Sequence, residues 1–184
     1  MPNYVRSRVE GGTYFFTIVT NGRRQIFHQP LARRLLREAM REVRSTHPWE
    51  TCAIILLPEH MHMLWRLPAG DADYSRRIGK IKATFTKAFL ASGGRRGKIT
   101  QSETEKGYAG IWQPRFWEHT IRDARDFKIH LDYIHLNPVY HGLAAFPRDW
   151  PWSSFHRYVR LGEYESDWIG RVDLPRQVEY FYAE

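Results

Sequence analysis

The residues whose types and spacing can do chemistry are His60-Met61-His62 and, further along, Tyr133 with Asn137. On a strand, residues two apart project from the same face with Cβ atoms roughly 6–7 Å apart, so two imidazoles there can share one metal ion. The same pair also fits two histidines on a partly exposed sheet face, because the motif is short. A central strand would hold such a pair rigidly, and a buried pair would need polar partners. Tyr133 and Asn137 are four apart, so a helix places them on one face, one turn from each other. A tyrosine suits a reaction in which a phosphodiester is broken and its energy kept, because attack on phosphorus leaves a phosphotyrosine. A phenol with a pKa near ~10 needs a metal or base to ionise it. Taken alone, Tyr133 also reads as a helix anchor and Asn137 as a C-terminal cap.

The pattern around these residues predicts the elements that position them. Thr13–Thr20 (TYFFTIVT) is β-branched and aromatic, and Asn21-Gly22 stops it as a strand. Leu31 to Arg44 has helical periodicity, with Leu31, Leu35, Leu36, Ala39, Met40 and Val43 on one face. Its other face carries Arg33, Arg34, Arg37, Arg41 and Arg44. Glu50–Leu57 reads as a buried strand. His60–Leu67 alternates with period two, His60, His62, Leu64 and Arg66 facing one way and Met61, Met63, Trp65 and Leu67 the other. A helix from about Tyr74 to Leu90 follows, capped by Asp73 or Ser75. Ser92–Gly110 has glycines, charges and no apolar period, as expected of a long mobile loop. A strand then runs from after Pro114 to Ile121. A helix starts at Asp123 and is expected to stop at Asn137-Pro138, since the residue before a proline resists helical geometry. A short helix near Phe155–Leu161 completes the order.

That order predicts an α+β fold. It is a split βαββαβ antiparallel sheet of ferredoxin-like or RRM-like type, with helices on one face and an extra C-terminal helix carrying Tyr133. The first and third strands then lie at the centre. The expected division is one domain over 1–170 and a tail over 171–184, read as disordered or as folding back over a basic site.

Composition bounds the function class. The chain has 184 residues, enough for one domain with a real core, and its 42% apolar content excludes a wholly disordered basic tail. The one cysteine, Cys52, excludes an intramolecular disulfide framework and a multi-cysteine zinc ribbon. No apolar signal region and no run long enough to span a bilayer are visible, so a cytoplasmic, nucleoid-associated location is expected. The formal charge of +8, with aromatics at 15%, fits a polyanion partner, since basic groups attract phosphates and rings stack on bases.

Four segments, PEHMHMLWRLP, WQPRFWEHTIRD, DYIHLNPVYHG and WPWSSF, in this order and spacing resemble the REP-associated tyrosine transposases. These are a branch of the single-tyrosine HUH transposases of bacterial insertion sequences. The resemblance runs from YVRSRVEGGTYFFT near the N-terminus to about Gly170. It implies a metal-dependent single-stranded DNA endonuclease and strand transferase. The implied substrates are hairpins of repetitive extragenic palindromes, cut through a 5′-phosphotyrosine with a free 3′-OH. His60 and His62 match the metal-binding histidines and Tyr133 the nucleophile. Asn137 stands where related enzymes carry a glutamine as third ligand, one methylene longer. The implied ion is Mg²⁺ or Mn²⁺, although imidazole by itself suits zinc better. The implied assembly is a self-contained monomer, with a dimer as the alternative found in the insertion-sequence enzymes.

The basic groups then have a role. Arg76, Arg77, Lys80, Lys82 and Lys87, with Arg95, Arg96 and Lys98, are expected to follow the backbone of a hairpin stem; no acid interrupts Tyr74–Leu90. Trp112, Phe116 and Trp117 stack unpaired bases or fill the core. His119, His130, His135 and His141 read as structural, and Glu59 has no base role because an ideal strand turns it away from the pair. Tyr140 and Tyr158 are weaker candidate nucleophiles. Two other functions remain: an RRM-like hairpin binder that does not cut, and a zinc-dependent hydrolase at the two histidines.

Overall fold

A computed structural model describes residues 7–170, so the expected tail from Arg171 onward lies outside the described residues. Four strands form one antiparallel sheet: β1 (Thr13–Val19), β2 (Glu50–Leu56), β3 (His60–Arg66) and β4 (Trp117–Thr120), in the order β2-β3-β1-β4. The central positions of β1 and β3 agree with the sequence expectation. Three long helices, α1 (Pro30–Thr46), α2 (Tyr74–Ala91) and α4 (Ala124–Tyr140), cover the sheet; α3 (Gln101–Glu105) and α5 (Phe155–Arg160) are short. No helix among the described residues is long and apolar enough to cross a membrane.

Strand alternation divides the interior into two cores. Tyr14, Phe16 and Ile18 of β1 with Met61, Met63 and Trp65 of β3 pack against α1 and α2. Phe15 of β1 and Leu64 of β3, with Ala53 and Ile55 of β2, pack against Leu131, Tyr133 and Ile134 of α4. The period-two pattern therefore sends the two histidines toward α4 and the neighbouring methionines toward the other helices. Trp112 is buried against Phe27 and Phe85, which makes it a core residue rather than a base-stacking one.

Three elements differ from expectation. Pro138 does not end α4; the helix runs on to Tyr140 with Pro138 inside it. The lost hydrogen bond is offset because Ile134, Leu136 and Pro138 are all buried. The Pro138 carbonyl still accepts from the Leu143 and Ala144 N–H groups, which fixes the turn that follows.

Ser92–Gly110 is not a bare loop. Thr100 and Glu103 form a capping box that starts α3, a T-x-x-E signal present in the sequence but short of apolar support. The segment is tied to the β1–α1 connection by Asn21 Nδ2 to the Lys98 carbonyl (2.7 Å) and Arg24 Nη2 to the Arg95 carbonyl (2.9 Å). Its ends close by a bond from the Gly97 N–H to the Gly110 carbonyl at 2.8 Å, an approach a Cβ at Gly97 would obstruct.

The fourth strand is shorter than expected, starting at Trp117. Trp112 makes only an isolated bridge to Thr20 before Pro114 interrupts the pairing.

Candidate active site

Register brings Thr17 of β1 directly opposite His62 of β3, and Thr17 Oγ1 lies 2.9 Å from His62 Nδ1. Glu59, in the turn just before β3, places Oε1 2.8 Å from His60 Nδ1. Each ring is thus held through Nδ1, so an ion would be taken at Nε2. The two rings stand 4.8 Å apart between centroids, at 78° to one another. His62 is fully buried, and burial, reinforced by the neighbouring His60, pushes its pKa well below the ordinary value. The imidazole is therefore neutral, the form that binds metal. Burial pushes the Glu59 carboxyl up, but the hydrogen bond and charge of His60 outweigh it and hold the group below the ordinary carboxylate range.

α4 lies across this pair. Its N-terminus is set by Asp123, whose side chain accepts from the Asp126 N–H at 2.8 Å. Tyr133, Asn137 and His141 follow at four-residue spacing on one stripe. One end of the stripe puts the Tyr133 ring 5.2 Å from His62, and the other puts His141 5.1 Å from His60. Asn137, between them, is 1% exposed, and neither of its amide atoms has a hydrogen-bond partner among the described residues. A buried amide left with both ends unsatisfied is rare and costly. The Tyr133 side chain is 2% exposed and packs on Phe15 at 5.9 Å.

Arg23 also belongs to this site. Its charge is close enough to help depress the pKa of both His62 and His141. It follows Asn21-Gly22 at the end of β1 and takes a φ of 49°, the left-handed region that non-glycine residues avoid.

A second group of metal-capable atoms sits beside the first. His119 on β4 and Asp126 and His130 on α4 have ligand atoms within 4.8 Å of one another. Much of this cluster is already engaged: Asp126 Oδ2 accepts from Arg122 Nε (2.9 Å) and lies 2.8 Å from His119 Nε2, while His130 Nδ1 lies 2.8 Å from the Asp126 carbonyl oxygen. The guanidinium on the carboxylate disfavours a cation there. The cluster reads better as the polar lock between β4 and α4.

The expected nucleic-acid residues divide. Arg76, Lys80, Lys87, Arg95, Arg96 and Lys98 are exposed. Arg77 is a correction: it is 3% exposed, paired with Asp71 at 2.5 Å, and donates to the Pro48 carbonyl from Nε and Nη2. Its position on the inner side of α2 turns its charge into the fold, so it does not meet phosphate. Lys82 is half-buried and donates to the Gln113 carbonyl at 2.6 Å. Of the weaker nucleophile candidates, Tyr158 donates its hydroxyl to the Cys52 carbonyl, and Tyr140 sits half-exposed at the end of α4.

The sequence reading did not name Thr17 or Arg23, turned Glu59 away from the pair and read His141 as structural. Thr17 becomes visible only through strand register. Glu59 escapes because the alternation rule fails at the turn residue preceding a strand. His141 stands one turn beyond Asn137, a signal masked by the expected stop at Pro138.

Comparisons with known proteins show the family. The family model described as "Transposase IS200 like" matches residues 8–137. The REP-associated tyrosine transposase of Escherichia coli K12 is 43% identical over 173 residues, covering 94% of this chain and 93% of the relative. A relative in Haemophilus influenzae, described in similar terms, is 43% identical over 174 residues, covering 95% and 97%. A solved structure of a REP-associated tyrosine transposase bound to a REP hairpin superimposes with a TM-score of 0.77 at 41% identity, covering 95% of each chain. With the family model matched over residues 8–137 and relatives 43% identical over nearly the whole chain, the chain belongs to the IS200-like transposase family.

Proposed function

We propose that this chain is a single-stranded DNA endonuclease and strand transferase acting on palindromic hairpin repeats of the REP type. The observation that carries the reading is the meeting of His60, His62 and Tyr133 in one cluster of a chain 43% identical to REP-associated transposases. The strand order, with β1 and β3 central, supports a ferredoxin-like sheet, and α4 is then the added helix that carries the nucleophile. We read residues up to Gly170 as one domain and place the protein in the cytoplasm with the nucleoid.

Tyr133 is the nucleophile. Its phenolic oxygen attacks phosphorus, the bond to the 3′ oxygen breaks, and the phenol's proton leaves as the departing oxygen takes one up. The products are a 5′-phosphotyrosine and a free 3′-OH. Rejoining reverses the bonds and needs no nucleotide. Because Tyr133 is buried, the scissile phosphate must displace neighbouring side chains to reach it. Arg23, whose charge is felt by His62 and His141, would help neutralise that phosphate.

The residues fit a divalent cation. Two imidazoles anchored through Nδ1 and the unsatisfied Asn137 amide make a nitrogen and oxygen donor set, to which water and phosphate oxygens would add once the buried site opens to substrate. We propose Mg²⁺ or Mn²⁺ on His60, His62 and Asn137. Such an ion, when bound, would polarise the scissile phosphate. Tyr133 stands beside the histidines of its own chain, which supports a self-contained monomeric site. Arg76, Lys80, Lys87, Arg95, Arg96 and Lys98 are proposed to contact the stem, with Lys82 in support.

The test is a labelled REP-type hairpin strand incubated with the protein and Mn²⁺ and resolved on a denaturing gel. A protein–DNA adduct lost in Tyr133→Phe is expected. Cleavage that persists without an adduct in that variant would overturn the nucleophile assignment and favour a hydrolase. Binding with no cleavage by the unaltered chain would favour a non-catalytic module.

A further inference from the structure

The arginine face of α1 has no role in the chemistry above, yet it borders an apolar groove on the other side of the sheet. A groove of about 460 Å³ runs between α1 and the outer edge of β2. Arg33, Arg37, Arg41, Arg44 and Arg157 line it, and no Asp or Glu does. Its floor includes Met40, Ile54, Leu56 and Trp152, all partly exposed. The two acids of α1, Glu38 and Glu42, are outside the lining, and Glu38 pairs with Arg34.

One wall is built rather than incidental. The Trp152–Ser154 segment pairs onto the free edge of β2: the Leu56 N–H donates to the Trp152 carbonyl at 2.9 Å and the Ser154 N–H to the Ile54 carbonyl at 2.8 Å. That pairing fixes Trp152 at the groove. The Arg33 guanidinium stacks 4.1 Å above its ring while bonding the Phe27 and His28 carbonyls. By contrast Arg37, Arg41 and Arg44 are exposed and have no hydrogen bond or ion pair among the described residues. They form a stripe along one helix face, three permanent charges with no carboxylate among the described residues paired to them.

We propose that this groove binds the unpaired DNA strand flanking the hairpin, with phosphates on Arg37, Arg41 and Arg44 and a base against Trp152 and the apolar floor. The proposal rests on the nucleic-acid reading above. A duplex stem presents phosphates to such a surface but leaves the apolar floor wet, whereas an unpaired base has two apolar faces to bury there. Guanidiniums suit phosphate in both charge and fork geometry. The groove lies on the Met61 side of the sheet, and His60 and His62 face the other way. The strand held here is therefore an anchor and not the segment that is cut.

The test compares affinities, by fluorescence anisotropy, for a REP-type hairpin with single-stranded extensions and for the same hairpin made blunt. The variant is Arg37→Gln/Arg41→Gln/Arg44→Gln, checked for an unchanged circular dichroism spectrum and melting temperature. Expected is a loss of about tenfold or more for the extended DNA and none for the blunt hairpin. The slope of log affinity against log salt should fall by about 2, three phosphates at ~0.7 each. Trp152→Leu should weaken the extended DNA without altering that slope. An equal loss for both DNAs would place a stem in the groove and overturn the proposal, as would no loss for either. Competition by polyglutamate as effective as by the extended DNA would also overturn it, reducing the groove to a general polyanion surface. Adduct formation by the unaltered chain is read separately, so failure of the enzymatic reading and failure of the groove are distinguishable.

Discussion

The rings of His62 and Tyr133 lie 5.2 Å apart, although one belongs to the central strand and the other to a helix that enters the sheet from β4. Both are essentially buried, and Phe15 packs against each, so the relation is fixed by the core and not by a flexible loop. Chemistry that joins a metal-bound phosphate to a phenolic oxygen needs this fixed separation. His62→Ala should therefore abolish adduct formation on the hairpin while leaving hairpin affinity within about twofold. A parallel collapse of binding and of melting temperature would mean that the histidine serves the fold alone.

Thr17 and Glu59 hold the two histidines through Nδ1, and such partners set ring orientation and ligand basicity. Thr17→Val and Glu59→Gln are each expected to raise the Mn²⁺ concentration needed for half-maximal adduct formation by about 10- to 100-fold. Excess Mn²⁺ should restore most of the activity. Activity that stays low at saturating metal would show that these residues act on the reaction itself.

Much of this arrangement was legible in the sequence because it depends on short-range periodicity. The alternation in HMHMLWRL set the face of both histidines, and the four-residue spacing of Tyr133 and Asn137 set their common stripe. What was not legible depends on contacts between distant segments. Arg77 looks like its neighbours in a basic run, and only the meeting of α2 with Asp71 and Pro48 shows that its charge is internal. Pro138 obeys its local preference poorly because burial on the sheet outweighs it. The α1 groove needed Trp152, more than a hundred residues from Arg44, to pair onto the edge of β2.

Arg77 and Arg76 are adjacent in sequence and should behave oppositely. Arg77→Ala leaves Asp71 and the Pro48 carbonyl without their partner, and the expected loss is about 2–4 kcal/mol of unfolding free energy. Arg76→Ala, at an exposed position, should change stability by less than about 0.5 kcal/mol while weakening hairpin binding. Urea unfolding and anisotropy on the two variants check this, and a stable Arg77→Ala with weakened binding would reverse the assignment.

Arg23 combines a left-handed φ of 49° with a charge that helps depress the pKa of His62, so its two roles can be separated. Arg23→Gly removes the charge and relieves the backbone, and should leave stability equal or higher by up to about 1 kcal/mol. Adduct formation should nevertheless slow by about tenfold or more, because a phosphate partner is gone. If Arg23→Gly cuts as fast as the unaltered chain, the residue shapes the turn and has no part in the reaction.

Asp126 supplies the pH test of the lock between β4 and α4. Burial pushes its carboxyl up, but the hydrogen bonds from Arg122 and His119 outweigh it and hold the group well below the ordinary value of 3.8. A carboxylate depressed in the folded state contributes stability in full above its unfolded value. That contribution is lost as pH falls below about 3.8 toward the folded value, since the unfolded chain takes up the proton first. Asp126→Asn removes the charge at every pH. It should therefore lower stability near neutrality by about 2–4 kcal/mol, and its unfolding free energy should fall less steeply than that of the unaltered chain below about pH 4. Urea midpoints measured from pH 7 down to pH 3 distinguish the cases. Parallel profiles for the two proteins would mean that Asp126 is not the group that ties β4 to α4. In that event the alignment of Tyr133 against His62 would have to rest on the apolar packing of α4 against β1, β2 and β3.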